Sequence, residues 1–495
     1  MRLTDWCRLL ALPLCLVACG GDGGDGGDGP AGGAAVSLAA SVPANGATGV
    51  SAATTTVELT YSAEVDFTNG KADFGGSPCG IADFSKSGNV MTFKIPQRLE
   101  RGKVYTLSIP AGFFVAKGGG TPVPAHAVTF STAEKTSVSG DGVAQGLVTP
   151  GASAQAVKLY DYLRSVYGDK LISSTIANVN WNLCEAEMVH AATGKWPAMA
   201  TVDYLHFYTL YNDAKRNPYY KSWRVDYDDI SQFEEWWNAG GIVSACWHWN
   251  VPRRQADEYG KDDYSCTPGN GDIGNTAFRP RNIFVDGSWE QSIADEDLAL
   301  LASLLKKFQE AGIPVVWRPL HEASGNAATG GTAWFWWGVD GAETYVRLWR
   351  KMFDYFKAQG LNNLIWVWTT QTGYSYDASK GIVYDDEWYP GDEYVDIVGR
   401  DEYKMTTEMS AAEFEALVAK YPGKIVTLSE CGSVGKLSEQ WAAGAQWSWA
   451  MPWYDYDVDN GKNPFSQHQH ANAEWWQDAM ECEFVVSRDD LPSFK

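Results

Sequence analysis

The sequence predicts an α/β protein in which a large (β/α)8 TIM barrel follows a small all-β sandwich. The chain of 495 residues exceeds one ordinary domain, and its 45% hydrophobic content suits globular cores. Short β-rich segments occupy residues 36–133, whereas strand-like segments alternate with amphipathic helical patterns over residues 153–495. Eight such alternations over roughly 340 residues are typical of a closed barrel.

The first residues predict an export signal rather than a folded element. Arg2 and Arg8 flank the start of an apolar run, residues 9–18, which is too short to span a bilayer as a permanent helix. We therefore expect a signal peptide at residues 1–18. The run ends in LVAC, which resembles a bacterial lipobox, so we expect acylation of Cys19 and anchoring in the outer membrane, at the cell surface or facing the periplasm. An ordinary secretory signal is the alternative.

Residues 19–35 predict a flexible tether because a Gly/Asp repeat cannot bury a core. Asp22, Asp25 and Asp28 resemble the acidic export tags that some bacteria place behind a lipidated cysteine, although plain solvation also explains them.

Residues 36–133 predict an antiparallel sandwich. The segments at 54–61, 90–95, 104–109 and 128–132 are rich in β-branched and aromatic residues and are separated by glycine turns. The region resembles the bacterial Ig-like repeats of surface proteins. Such a domain could bind carbohydrate, but it contains no Trp to stack on a sugar ring, which favours a spacer.

A polar linker at residues 134–152 leads into the barrel domain, 153–495. Helices are predicted at 295–311, 343–359, 410–420 and 473–482 from their apolar spacing. A doubly wound sheet is the alternative fold. The predicted strands are 170–174, 197–202, 241–247, 314–319, 363–369, 395–400, 424–429 and 445–450.

Charge and cysteine spacing exclude several classes of function. The net charge of −22 argues against a nucleic-acid partner, which needs clustered Lys and Arg. Six cysteines follow the expected cleavage site without a CxxC pair, so we expect no cysteine-based zinc site, leave disulfide connectivity open and expect Cys79 to be unpaired. His468 and His470 could bind a transition metal, but a solvated loop is favoured. We expect a monomer without cofactor or metal.

Two glutamates follow apolar strands at the end where barrel enzymes carry their sites. Glu322 comes shortly after the fourth predicted strand, and Glu430 follows the seventh. A single rim glutamate is usually a salt-bridge partner or a helix cap, but two of them form the pair that glycoside hydrolysis requires. One would protonate the leaving oxygen, and the other would attack the anomeric carbon or activate water.

Tryptophans cluster at the same strand ends. The chain has 23 Trp, of which 22 lie from Trp181 onward. Aromatic rings stack on the apolar faces of pyranose rings, so the clusters predict a sugar cleft, with core packing as the alternative. The predicted cleft residues are Trp247, Trp249, Trp334, Trp336, Trp337, Trp447, Trp449 and Trp453.

The run WRPLHE…WFWWG, together with WH, DEY, SECG and WSW farther along the chain, resembles glycoside hydrolase family 26. Most members are endo-β-1,4-mannanases of the retaining type. The resemblance implies that Glu322 is the acid/base and Glu430 the nucleophile. It further implies hydrogen bonds to Glu430 from Tyr403 and His321.

The resemblance implies sugar contacts for three more residues. His248 would contact the sugar near the cleavage point, Trp449 would form the platform before the scissile bond, and Trp334 would lie on the leaving-group side. Two features depart from the family: the long Gly/Ala-rich segment at 323–333, expected to be a mobile loop, and Ala450, where some members carry an Arg.

We therefore expect an envelope-anchored endo-β-1,4-mannanase that acts on mannan-type polysaccharide by double displacement. Two alternatives remain: a family member that hydrolyses another β-glycan, such as 1,3-xylan or mixed-linkage glucan, and a non-catalytic glycan-binding surface lipoprotein.

Overall fold

The computed structural model describes residues 35–495 apart from a few short segments. The segments left out are residues 51, 53, 97–98, 119, 135–137, 178–180, 214, 327–329 and 375–381. The expected signal peptide, Cys19 and most of the tether therefore lie outside the described residues.

The N-terminal part is a β-sandwich, as predicted. Its strands are β1 (Leu38–Val42), β2 (Ala47–Val50), β3 (Thr56–Tyr61), β4 (Val65–Phe67), β5 (Ala72–Phe74), β6 (Ser77–Cys79), β7 (Phe84–Ser87), β8 (Val90–Lys94), β9 (Val104–Ile109), β10 (Phe114–Ala116) and β11 (His126–Thr132). One sheet has the order β1-β3-β8-β7 and the other β2-β11-β9-β5-β6. Leu59, Phe93 and Leu107 are fully buried, because alternate side chains of each strand face the core.

The C-terminal part is a closed parallel barrel. Its strands are β12 (Leu171–Ile176), β13 (Met199–Asp203), β14 (Ile242–Trp247), β15 (Val251–Pro252), β16 (Tyr264–Ser265), β17 (Val315–Pro319), β18 (Leu364–Thr370), β19 (Gly373–Tyr374), β20 (Ile382–Val383), β21 (Ile397–Tyr403), β22 (Ile425–Gly432), β23 (Trp449–Pro452) and β24 (Val485–Val486). The order β13-β14-β17-β18-β21-β22-β23-β12 closes through the pairing of β12 with β13. The barrel prediction is confirmed, and the doubly wound alternative is excluded.

Helices surround the barrel. They are α1 (Ala154–Val166), α2 (Cys184–Thr193), α3 (Ser231–Asn238), α4 (Trp289–Glu310), α5 (Ala342–Ala358), α6 (Thr407–Lys420), α7 (Leu437–Ala442), α8 (Tyr456–Asp459) and α9 (Ala473–Glu481). Helix α4 begins six residues before its predicted start (295 − 289), because the Ser288 hydroxyl accepts a hydrogen bond from the Gln291 backbone N–H at 3.0 Å. None of the helices in the described part is long and apolar enough to cross a membrane.

The eighth barrel strand ends later than predicted. The apolar pattern placed it at residues 445–450, but β23 continues to Pro452, which pairs with Cys431 of β22. The prediction was wrong because a strand buried on both faces is apolar throughout and carries no signal for its last residue.

The sandwich rests on the barrel through helix α6. Glu415 of α6 forms an ion pair with Arg101 at 3.1 Å and accepts the Ala52 backbone N–H at 3.0 Å. The end of the predicted linker is also attached, since the Val148 N–H donates to the Asp396 carboxyl at 2.7 Å. Cys79 is a free thiol, as are Cys246, Cys266, Cys431 and Cys482.

Candidate active site

Three carboxyl groups meet at the C-terminal rim of the barrel. Glu322 follows β17, Asp401 lies in β21 and Glu430 lies in β22. One oxygen from each lies within 4.8 Å of the other two. The structure thus brings together Glu322 and Glu430, which the sequence predicted as a pair, and adds Asp401 beside them.

A left-handed turn aims Glu322 into the site. Leu320 and Glu322 have φ angles of 49° and 52°, a region that costs a non-glycine residue about 1 kcal/mol. The turn is held by Tyr345, whose hydroxyl donates to the Leu320 carbonyl at 3.0 Å. The indole N–H of Trp334 donates to Glu322 Oε2 at 2.8 Å.

Glu430 is held by one hydroxyl and one guanidinium. The Tyr403 hydroxyl donates to Glu430 Oε1 at 2.5 Å, as predicted, and Arg318 Nη2 lies 3.0 Å from Glu430 Oε2. Arg318 also forms an ion pair with Asp401, which accepts the Ser429 hydroxyl at 2.8 Å. Carboxylates on two sides compensate the lost hydration of this buried guanidinium.

Strand β21 and a glycine of β22 position this cluster. A register shift between Arg400 and Asp401 places Asp401 directly opposite Glu430, and bulges of this kind re-aim side chains beside active sites. A Cβ atom at Gly432 would lie 2.3 Å from His470 Nδ1 and 2.6 Å from Tyr403 Cε1. Only glycine therefore allows Tyr403 to pack this closely against the strand.

The surroundings raise the pKa of both glutamates, but unequally. Burial and the charge of Asp401 raise the pKa of Glu430 to about 7, against the opposing effects of Arg318 and Tyr403. Burial, followed by the charges of Asp401 and Glu430, raises the pKa of Glu322 well above its ordinary value. The proton is therefore held on Glu322, and Glu430 is the first of the two to ionise as the pH rises.

A chain of hydrogen bonds borders the carboxyl groups. Asp203 Oδ2 lies 2.6 Å from His248 Nδ1, and His248 Nε2 lies 3.2 Å from His321 Nε2. Burial lowers the pKa of His248, but the adjacent Asp203 carboxylate raises it more, so the net shift is upward. Burial and Arg318 lower the pKa of His321 well below its ordinary value. The two opposite shifts mean that His248 takes up a proton more readily than His321.

The predicted hydrogen bond from His321 to Glu430 is absent. The side chain of His321 is buried, and its Nε2 faces His248 instead. The left-handed turn explains the difference, because it directs the adjacent residue Glu322 toward the carboxyl cluster. Arg318 occupies the place expected for His321.

Trp453, not Trp449, is the tryptophan of the eighth strand that reaches the site. Trp449 is only 3% exposed and lies at the start of β23, where it pairs with Ile172. Trp453 follows the strand end, donates its backbone N–H to the Cys431 carbonyl at 2.8 Å and places its ring 5.6 Å from the His248 ring. The resemblance assigned the sugar platform to Trp449, but that side chain is buried within β23 and exposes almost none of its ring.

Most of the other predicted cleft tryptophans are core residues. The indole N–H of Trp249 donates to the Asp297 carboxyl at 2.7 Å, and that of Trp336 donates to the Trp249 carbonyl at 2.7 Å. These contacts anchor loops rather than face a cleft. Completely buried are Trp247, Trp249, Trp336, Trp337 and Trp447.

The His468 and His470 segment is packed rather than solvated. His468 is 5% exposed, its Nε2 lies 3.0 Å from Glu185 Oε1, and its Nδ1 accepts two backbone N–H groups. In the described part, two groups place three potential metal ligands within 4.8 Å of one another: the carboxyl cluster, and Asp203 with Cys246 and His248.

Arg318, Asp401 and Asp203 were not singled out as site residues from the sequence. A signal existed for Arg318, because a charged residue within an otherwise apolar strand requires a buried partner. Asp203 ends a strand in the same way as the predicted glutamates, but only the fold shows that His248 is its neighbour.

A sequence profile described as glycosyl hydrolase family 26 matches residues 148–479, which include every barrel strand from β12 to β23 and all three carboxyl groups. The chain belongs to glycosyl hydrolase family 26. Residues 33–132 match the bacterial Ig-like domain. Both resemblances inferred from the sequence are thereby confirmed.

Relatives of this family 26 chain include characterised and solved proteins. It is 30% identical over 320 residues to a mannan endo-1,4-beta-mannosidase of Thermothelomyces thermophilus, covering 64% of this chain and 59% of that protein. It is 29% identical to mannan endo-1,4-beta-mannosidase B of a Piromyces species, covering 70% and 54%. The chain thus spans little more than half the length of these two relatives.

Solved structures show the same domain. The family 26 domain of an endo-beta-mannanase/endo-beta-glucanase from Prevotella bryantii is 38% identical, with a TM-score of 0.60, covering 70% of this chain and 99% of that one. A beta-mannanase from a symbiotic protist of the termite Reticulitermes speratus is 30% identical, with a TM-score of 0.55, covering 71% and 98%.

Proposed function

We propose that this chain hydrolyses internal β-1,4-mannosidic bonds of mannan-type polysaccharides with retention of anomeric configuration. The observation that carries the proposal is the proximity of Glu322 and Glu430, since a carboxyl oxygen of one lies within 4.8 Å of a carboxyl oxygen of the other. Retaining glycosidases place their carboxyls about 5–5.5 Å apart, whereas inverting enzymes leave about 6.5–9.5 Å for a water molecule. The names of the relatives support mannan as the substrate.

In the first step, Glu430 attacks the anomeric carbon while Glu322 gives its proton to the leaving glycosidic oxygen. The raised pKa of Glu322 supplies that proton at neutral pH. Arg318 and Tyr403 favour the ionised form of Glu430, and both contacts are available before the bond to the sugar forms.

In the second step, water displaces the sugar from Glu430. The ester oxygen of the glycosyl-enzyme carries no charge, so the part of the raised pKa of Glu322 that comes from Glu430 is lost, whereas the effects of burial and Asp401 remain. Glu322, now ionised, takes a proton from the incoming water, and both carboxyls return to their starting states.

Three further residues are assigned to sugar binding. His248, fixed by Asp203, lies near Glu430 and would contact the sugar that is attacked. The partly exposed ring of Trp453, next to His248, would stack on the same sugar. Trp334, bonded to Glu322, would lie on the leaving-group side.

Replacement of the nucleophile tests the proposal. We expect Glu430→Ala to lower kcat on mannan by at least about 10³-fold while circular dichroism shows an unchanged fold. Glu322→Ala should lose activity on mannan but keep much of it on a dinitrophenyl β-mannobioside, whose leaving group needs no proton. Full activity of Glu430→Ala on mannan would refute the assignment.

Product analysis separates the alternative functions. Early products from mannan should be oligosaccharides of mixed length, as internal cleavage requires. Faster hydrolysis of 1,3-xylan or mixed-linkage glucan than of mannan would assign the chain to another substrate. Binding of mannan without turnover would favour a glycan-binding lipoprotein.

The location is proposed from the sequence alone. Acylated Cys19, with the Gly/Asp segment behind it, would tether the enzyme to the outer membrane. Cys19→Ala should move the protein from the membrane fraction to the soluble fraction of cells. Antibody labelling of intact cells would distinguish surface display from a periplasmic location, which gives signal only after lysis.

A further inference from the structure

An aromatic pocket opens on the loop that connects β13 to α3. Its volume is about 400 Å³. It lies outside the carboxyl cluster, and none of the roles assigned above involves it. The residues that form most of its wall are Trp181, Trp223, Arg224, Asp226, Asp229 and Gln232.

One wall of the pocket is rigid. Trp181 is 6% exposed and packs against Tyr204 and Tyr227 with ring centroids 4.9 and 4.6 Å away. Its indole N–H donates to the Asp229 carbonyl at 3.0 Å, and its carbonyl accepts the Gln232 amide. A preformed wall of this kind reduces the conformational entropy that a ligand must remove.

The other aromatic wall is open to solvent. Trp223 is 42% exposed, and only edge-to-face contacts with His206 and Tyr219 support its ring, at centroid distances of 5.2 and 4.9 Å. Part of this indole ring is therefore accessible to a ligand.

The pocket is linked to the active site through the buried Tyr227. The Tyr227 hydroxyl, next to the Trp181 wall, donates to the Asp203 carbonyl at 3.3 Å and accepts the His206 N–H at 3.0 Å. The carboxyl of Asp203 holds His248. The pocket and the sugar-contacting histidine therefore share one support on the same rim of the barrel.

The polar groups of the pocket suit a neutral ligand rich in hydroxyls. Its charged side chains are one guanidinium and two carboxylates. Arg224 lies 3.7 Å from Asp226, so the Asp229 carboxylate leaves one net negative charge, which disfavours an anionic ligand. Indole faces stack on the apolar faces of pyranose rings, while amide, guanidinium and carboxylate groups bond the hydroxyls.

We propose that this pocket binds a hexopyranose unit of the polysaccharide, beyond the sugars that contact the carboxyl cluster. The inference rests on the proposed function, because the bound unit belongs to the same chain that the enzyme cleaves. A long substrate therefore gains a contact that a short one cannot reach.

Trp223→Ala tests the pocket, with Tyr220→Ala as the matched control. Tyr220 is 45% exposed on the same loop but does not line the cavity. We expect Trp223→Ala to lower kcat/KM on polymeric mannan about tenfold and to leave mannotriose hydrolysis unchanged. Trp223→Phe should restore most of the loss, and Tyr220→Ala should behave as the wild type on both substrates.

Other outcomes overturn the proposal. Equal losses on polymer and mannotriose, or no loss on either, would exclude a distant sugar site. A change in sedimentation coefficient on Trp223→Ala would identify the patch as a contact between two copies of the chain instead.

Affinity gel electrophoresis separates failure of the pocket from failure of the proposed function. Gels containing mannan, 1,3-xylan or mixed-linkage glucan report binding without hydrolysis when the Glu430→Ala background is used. If the wild type cleaves a glycan other than mannan, Trp223→Ala should still lose retardation on that glycan. Unchanged retardation on every gel contradicts the pocket, whatever the substrate is.

Discussion

Arg318 distinguishes the two glutamates from each other. Its side chain is 3% exposed and lies 3.0 Å from Glu430, where it is the largest effect that opposes burial and Asp401. At Glu322, the charge of Glu430 outweighs the effect of Arg318 as well. The same cation therefore favours the ionised form of Glu430 and leaves Glu322 with its proton. Two chemically identical side chains acquire different roles from one asymmetric contact.

Removal of the Tyr403 hydroxyl should shift the acidic side of the pH profile. The hydroxyl donates to Glu430 and lowers its pKa, so Tyr403→Phe raises the pKa of Glu430. Because Glu430 must be ionised to attack, the acidic limb of kcat/KM moves to higher pH, and the maximal value falls about ten- to a hundredfold. An acidic limb that stays in place would contradict this role.

Removal of the Trp334 indole N–H should shift the alkaline side of the pH profile of kcat/KM. Its hydrogen bond favours ionised Glu322, so Trp334→Phe raises the pKa of Glu322. Glu322 then keeps its proton to higher pH, and the alkaline limb of kcat/KM moves upward. Trp334→Phe and Tyr403→Phe are controls for each other, because each substitution should move only one limb of the pH profile.

The place of a single residue in the site was predictable from the sequence where its position after an apolar strand is enough to put it at the barrel rim. Glu322 and Glu430 were found because both follow apolar strands. The hydrogen-bond partners of His321 were not predictable, because a left-handed turn at Leu320 and Glu322 sets the direction of the His321 ring. Nothing in the residue types announces such a turn, since neither residue is glycine.

At the scale of elements, strand β21 serves two sides of the molecule. Asp401 and Tyr403 face the carboxyl cluster. Arg400 lies between β21 and α6, where its Nε is 3.4 Å from Glu413 Oε2. Glu402 is fully buried on this outer side, where burial raises its pKa to about 7. The two-residue period of a strand thus separates the catalytic carboxyls from a structural group of charges.

Glu402→Gln should stabilise the protein at alkaline pH. Between its ordinary pKa of 4.5 and its folded pKa of about 7, the folded state keeps a proton that the unfolded chain has released, so stability falls as the pH rises through that window. Gln carries no such charge. Urea unfolding should therefore show a gain of about 2 kcal/mol at pH 8 and little change near pH 4.5.

The exposed Glu474→Gln is the control for that measurement, because Glu474 is 76% exposed at its ion pair with Lys436 and should show no gain. A lower stability of Glu402→Gln at pH 8 would show that the buried charge is required.

Helix α6 also carries the sandwich. Glu415→Ala removes both the ion pair to Arg101 and the acceptor for the Ala52 N–H. We expect the sandwich to detach, which small-angle scattering would record as a larger radius of gyration, while activity on mannotriose is unchanged. Glu64→Ala, which breaks an exposed pair with Lys117, should leave scattering unchanged. A compact Glu415→Ala would contradict docking through α6.

Some element boundaries followed local signals, but α4 begins before its predicted start, and β21, β22 and β23 end beyond their predicted residues. Helix α6 ends at Lys420 as the apolar spacing predicts, and the sandwich strand β9 matches its predicted residues 104–109. The end of β23 did not, because a strand buried on both faces has no polar residue to mark where the core stops.

At the scale of the whole molecule, the barrel was predictable because its strand count and alternation with helices are repeated eight times along the chain. The docking of the sandwich was not, since Arg101 and Glu415 are distant in sequence and each resembles an ordinary surface charge. A net charge of −22 places no constraint on the neutral polysaccharide proposed as substrate, which aromatic faces and hydrogen bonds would recognise.

The stereochemistry of the first product tests the central proposal most directly. Proton NMR spectra recorded during the first minutes of mannohexaose hydrolysis report the anomer that the enzyme releases, before mutarotation mixes the two forms. Double displacement through Glu430 and Glu322 predicts that the β-anomer appears first and the α-anomer only later. Initial release of the α-anomer would mean a single displacement by water and would contradict the account.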